Sequence, residues 1–182
     1  MAHKQRGDTL VEVLVSMAVL GLVIVGAITI MTRGLAASEI ALEHSQVRLI
    51  ITSQQEMLAK LRDAYAIDPT SSAGQLWNSI VTSSNTNPPS YASGCNVSTD
   101  KAGTAFYLTA QSTGITSAVY SSTGPSSGLP TAGSGYWIEP AKSTTFSPPY
   151  MDFVIRACWQ GSGGIDQRTV TAVRLYDPDR IH

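Results

Sequence analysis

Between Glu12 and Arg33 the chain has no charged side chain, and residues 13–31 are almost wholly apolar. About twenty such residues wound as a helix cross a hydrocarbon core, so this run reads as membrane-spanning. One carboxylate, Glu12, stands at its start. An ionisable group at membrane depth is expensive, so it normally has a partner or a task. The bland alternative is a glutamate that reaches back to the interface, since it lies only one turn inside the helix.

The leader, residues 1–7, is too short and too polar to be a secretory signal with its own apolar core. Lys4 and Arg6 precede the apolar run, and only Arg33 follows it closely. The positive-inside rule therefore keeps the N-terminus in the cytoplasm and exports the rest. Asp8 and Thr9 make a reasonable helix start, because either side chain can cap free N–H groups. Gly21, Gly26 and Gly34 interrupt the helix without breaking it and suit close helix packing.

From residue 34 to 67 the pattern stays helical and turns amphipathic. Ile40, Val47, Ile51, Leu58, Leu61 and Tyr65 recur at helical spacing, with Glu39, Glu43, Gln46, Gln54, Lys60 and Arg62 elsewhere. Asp68-Pro69 is a natural stop. Residues 68–103 read as mostly loop, with one helical turn around residues 76–81 pinned by Trp77. Strand-like runs follow at 104–110, 115–120, 135–139, 150–159 and 168–176, and the last two alternate well. The glycine-rich 161–164 reads as a hairpin connection; no following helix or Lys makes it a phosphate cradle. The residues thus predict an α+β protein, with a long N-terminal helix packed on a C-terminal antiparallel sheet.

With 182 residues and a net charge of −1, the chain has room for one modest head domain beside the helix and no electrostatic case for binding nucleic acid. Its 2 cysteines, Cys95 and Cys158, both follow the apolar run. An even count on the exported side favours one disulfide between them; two buried thiols are the alternative. No nucleophile elbow, P-loop or His/Cys pair at metal-ligand spacing is present, so neither an enzyme nor a cofactor or metal site is expected. Asp177-Pro178-Asp179 reads as a solvated turn rather than a Ca²⁺ site, and His44 as a packed or solvated side chain. Asn96-Val97-Ser98 fits a glycosylation sequon and is treated as chance.

A short basic leader ending in Gly7, then Thr9, Leu10, Val11, Glu12, Val13 and Leu14 at the head of a long apolar helix, resembles the prepilin signature. That signature marks type IV pilins, type II secretion pseudopilins and competence pseudopilins. Residues 31–35 and 57–62 look most like the minor-pilin branch, and nothing beyond residue 67 carries a resemblance. The resemblance implies cutting by a prepilin peptidase after Gly7, leaving Asp8 as the new terminus. It also implies N-methylation there, although Asp8 stands where the family most often has Phe. An uncut signal anchor is the competing reading of the leader.

In the family pattern the glutamate matching Glu12 offsets the terminal amine of a neighbouring subunit, with Thr9 and Leu10 completing the assembly motif. The partners so implied are other pilin subunits, an inner-membrane assembly platform with separate ATPases, and membrane lipid. The implied organisation is a leader (1–7), a transmembrane or filament-core helix (8–33), its amphipathic second half (34–67), a variable loop region (68–103) and a sheet head (104–182). The implied place is the cytoplasmic membrane before assembly and the cell surface after it. The rival function is a binding module held outside the membrane by an uncut anchor.

Overall fold

The long helix stops where proline forces it to. The residue before a proline is pushed out of the helical region, and Pro69 places that constraint on Asp68. In the computed structural model, which describes residues 8–84, 104–119, 129, 135–142, 150–161 and 164–176, α1 spans Asp8–Ile67, 60 residues. The Asp68 N–H still reaches the Ala64 carbonyl at 2.9 Å. Its side chain then turns to accept the Thr70 N–H at 2.9 Å and the Thr70 hydroxyl at 2.7 Å. These bonds hold the Asp68 carboxyl below its usual range. The chain divides into two compact units, Met1–Leu42 and Glu43–His182.

Within the second unit a second helix follows at once. α2, Ser72–Ser83, is 12 residues long. Ser71 caps it by accepting the Gly74 N–H at 3.1 Å, and its hydroxyl donates to the Asp68 carbonyl at 2.7 Å. Gly74 passes so close to the end of α1 that a Cβ there would lie 2.5 Å from the Asp68 carbonyl oxygen. Trp77 and Ile80 bury the inner face of α2, and Trp77 meets Phe153 with ring centroids 5.7 Å apart. The expectation of a loop with one turn is corrected here. A composition rich in Ser, Gly and Asn masks a helix that tertiary packing and its cap sustain.

Five strands make the sheet: β1 (Phe106–Gln111), β2 (Gly114–Val119), β3 (Gly135–Lys142), β4 (Tyr150–Gln160) and β5 (Asp166–Tyr176). Their order is β2-β1-β3-β4-β5, and every neighbouring pair is antiparallel. Gly114 at φ +133 and Gly164 at φ +72 supply the positive angles at the two hairpin turns. This is the helix-plus-antiparallel-sheet architecture that the sequence predicts; each strand overlaps an expected run, with β3 continuing to Lys142 and β5 starting at Asp166.

The inner face of β4 supplies Met151, Phe153, Ile155, Ala157 and Trp159 to a core completed by Val47, Ile51, Leu58 and Leu61 of α1. Burying one such aliphatic or aromatic side chain contributes about 1.5–3 kcal/mol. Gln54, expected on the polar side of α1, is only 2% exposed, while Ile40, expected on the apolar stripe, is 49% exposed. The opposite face of the central strands is buried as well. Trp137, Glu139, Val154, Arg156 and Cys158 are all out of solvent. Simple alternation would have left that face wet.

Candidate functional site

The residues that carry the prepilin resemblance lie in the first unit, on α1. Gly7 is outside the described residues. Asp8 and Thr9, the first described residues, are already helical. Leu10 is 64% exposed. From there to Met31 the large apolar side chains all stand in the open, and this is a helix long and apolar enough by length and composition to cross a membrane. Residues 10–31 rise roughly 33 Å at 1.5 Å each, close to a hydrocarbon core of about 30 Å. An apolar surface of this extent is covered by lipid or by other chains in the working protein.

The polar atoms on this helix fall into two kinds. The Thr29 hydroxyl donates to the Val25 carbonyl at 2.8 Å, and the Thr32 hydroxyl to the Thr29 carbonyl at 3.0 Å. Their donors are satisfied within the helix itself, so they ask nothing of an apolar surround. Glu12 is the other kind. It lies exposed beside Val13, Ser16, Met17 and Leu20, which line a shallow apolar notch along one side of the helix. A carboxylate at membrane depth is expensive unless a cation accompanies it.

In the second unit the stretch of α1 that begins at Glu43 meets the end of the sheet. The Trp159 indole N–H donates to Glu43 Oε2 at 3.2 Å, and His44 packs edge-on to the same indole with centroids 5.2 Å apart. His44 is thus a packing residue, one of the two roles its sequence context allows. Among the described residues no group of three or more His, Cys, Asp or Glu could hold a metal ion. Asp177-Pro178-Asp179 and the sequon at Asn96 lie outside the described residues. So does Cys95; its expected partner Cys158 is buried on β4, and no free cysteine occurs among the described residues.

Two arrangements escaped the sequence. Gln54 Oε1 accepts the Leu108 N–H at 2.9 Å and Gln54 Nε2 donates to the Leu108 carbonyl at 3.0 Å, both buried. Its spacing offered the signal, since residues 47, 51, 54, 58 and 61 form one continuous four-three stripe. The other is a buried ion pair between Glu139 and Arg156, whose side chains are 0% and 1% exposed. Nothing in the strand alternation marked these two as partners.

With this geometry in hand, the similarity to known proteins is confined to the head of the chain. Residues 2–28 match the family described as the prokaryotic N-terminal methylation motif, a motif characteristic of type IV pilins and pseudopilins. No curated protein and no solved structure matches the chain.

Proposed function

We propose that this chain is a structural subunit of a type IV pilus or pseudopilus, cut after Gly7 and assembled through the first half of α1. The observation that carries the reading is the methylation motif at residues 2–28 running into an exposed apolar helix, with Glu12 standing just ahead of its charge-free stretch. In a filament the helices would pack on one another, and Glu12 would face the freshly exposed amine at Asp8 of a neighbour. A carboxylate in such a low-dielectric bundle needs a cation, and the new terminus supplies one. The pair would set register between subunits more than it would add net stability.

Before assembly the same helix would hold the chain in the cytoplasmic membrane with its N-terminus inside, in line with Lys4 and Arg6 ahead of the apolar run. The prepilin peptidase, neighbouring subunits and an assembly platform are the partners of this reading. The resemblance of residues 31–35 and 57–62 to the minor branch supports a minor or initiating subunit. A disulfide between Cys95 and Cys158 in the exported head belongs to the same reading, and the absence of a free cysteine among the described residues supports it.

Intact mass and N-terminal sequencing of the protein from sheared surface filaments and from membranes test the proposal. The expected result is a chain that begins at Asp8 in the filament fraction, with any mass increment reporting methylation. A chain that keeps residues 1–7 and stays in membranes of a peptidase-competent host would overturn it and leave an uncut anchor.

A further inference from the structure

The joint between β1 and β3 is unlike the others in the sheet. β4 and β5 stay in register from Tyr150↔Tyr176 to Gln160↔Asp166, β3 and β4 from Gly135↔Cys158 to Lys142↔Met151, and β1 and β2 from Phe106↔Val119 to Gln111↔Gly114. β1 and β3 share the single pair Phe106↔Ile138. Two residues further along β1, Leu108 is 1% exposed and has no register partner on β3. A buried N–H and C=O cannot be left bare. Gln54 meets them both, at 2.9 and 3.0 Å, from α1.

A primary amide presents one acceptor and one donor side by side, the same pair that a strand residue offers its neighbour. Gln54 therefore takes the place of the missing β3 rung. The bonds that hold β1 to β2, including the Thr109–Thr116 hydroxyl contact at 2.8 Å, lie inside the hairpin and would move with it. Its outer half is exposed to solvent around Gln111, Gly114 and Thr116.

We propose that the β1–β2 hairpin is a strap that opens from β3 as a unit, with the Gln54 amide as its latch. Opening breaks one register pair, the Gln54 bonds, the Tyr107–Tyr136 ring contact at 6.2 Å, the seating of Phe106 and Leu108 in the core, and the packing of Ile115 and β2 against that core and α2. The β3–β4–β5 ladder stays whole. The open form bares the β3 edge near Tyr136 and Ile138, which another strand can pair with. This inference stands apart from the filament reading, since it concerns the head alone.

Hydrogen exchange followed by mass spectrometry on the full-length chain in detergent micelles tests it. In the unmodified protein, amides of residues 106–119 exchange by a sub-global opening, faster than those of β4 and β5. Gln54→Leu leaves two buried backbone groups unpaired and raises exchange across 106–119 on the order of ten- to a hundred-fold, with β4 and β5 unchanged. Gln54→Asn keeps the amide but is one methylene short, and gives the same localised change. Equal protection of all strands in the unmodified protein would overturn the proposal, a result that needs no variant to fold. So would variants that speed exchange in every strand alike.

Discussion

Arg156 on β4 donates its Nε–H to Glu139 Oε1 on β3 at 3.1 Å, with both side chains fully enclosed. The Trp137 indole N–H donates to the same oxygen at 2.8 Å. Glu139 Oε2 has no hydrogen-bond partner among the described residues. The pair is thus buried and incompletely satisfied. Such a pair is weak evidence for net stability, yet its members depend on each other. Arg156→Met alone strands a buried carboxylate and is expected to cost about 3–5 kcal/mol. Arg156→Met with Glu139→Leu is expected to recover most of that loss. Urea unfolding of the single and double variants measures the difference, and equal losses in both would contradict the dependence.

Gly74 is required by a close approach. Gly74→Ala puts a methyl group against the Asp68 carbonyl, 2.5 Å away before anything shifts, and the obstacle is backbone. The variant is expected to push α2 off the end of α1 and to lose about 1–3 kcal/mol. Trp77 fluorescence and thermal unfolding read the two effects. A variant as stable as the parent, with an unchanged Trp77 environment, would show that α2 docks by other means.

Glu12 separates a filament subunit from an anchored module. Glu12→Ala is expected to lower recovery in sheared filaments roughly tenfold or more while membrane levels hold, because the neighbour's amine loses its counter-charge. Quantitative blotting of the two fractions is the measurement. Undiminished incorporation would remove the role proposed for this carboxylate.

The disulfide can be read chemically. Non-reducing and reducing mass spectra after thiol alkylation are expected to show no alkylated cysteine before reduction and two after. Cys158→Ser is expected to lower stability by about 4 kcal/mol on the chain-entropy estimate, less any strain. Full alkylation of the native, unreduced protein once unfolded would mean two free thiols.

The Tyr136 phenol sets an alkaline limit. Burial pushes its pKa above the usual tyrosine value, and the neighbouring Tyr107 adds to the effect. The folded chain therefore keeps this proton at pH values where the unfolded chain gives it up. Its contribution is constant below about pH 10 and falls as the pH rises from there through the folded value. Stability measured across that range should decline less steeply in Tyr136→Phe than in the parent.

The elements that the sequence determined are those set by short-range physics. A charge-free apolar run with Glu12 at its head, the Asp68-Pro69 stop and the alternation of residues 150–159 each constrain the backbone or one face of it directly, and the helix and strands lie where those signals put them. The same head residues carry the methylation motif. The tertiary structure decided everything that depends on two distant segments meeting. Gln54 is a polar residue on a helix until β1 parts from β3 beside it; then burial, which should expel an amide, is favourable because Leu108 offers it two bonds. Arg156 and Glu139 fall on a face that alternation alone would give to solvent, and only the register Trp137↔Arg156 sets β3 and β4 so that they can pair. α2 forms from residues of weak helical preference because Trp77 and Ile80 find a core and Gly74 lets two backbones touch. A chain can encode its local periods one residue at a time, but whether a polar group is satisfied is known only when its partner arrives.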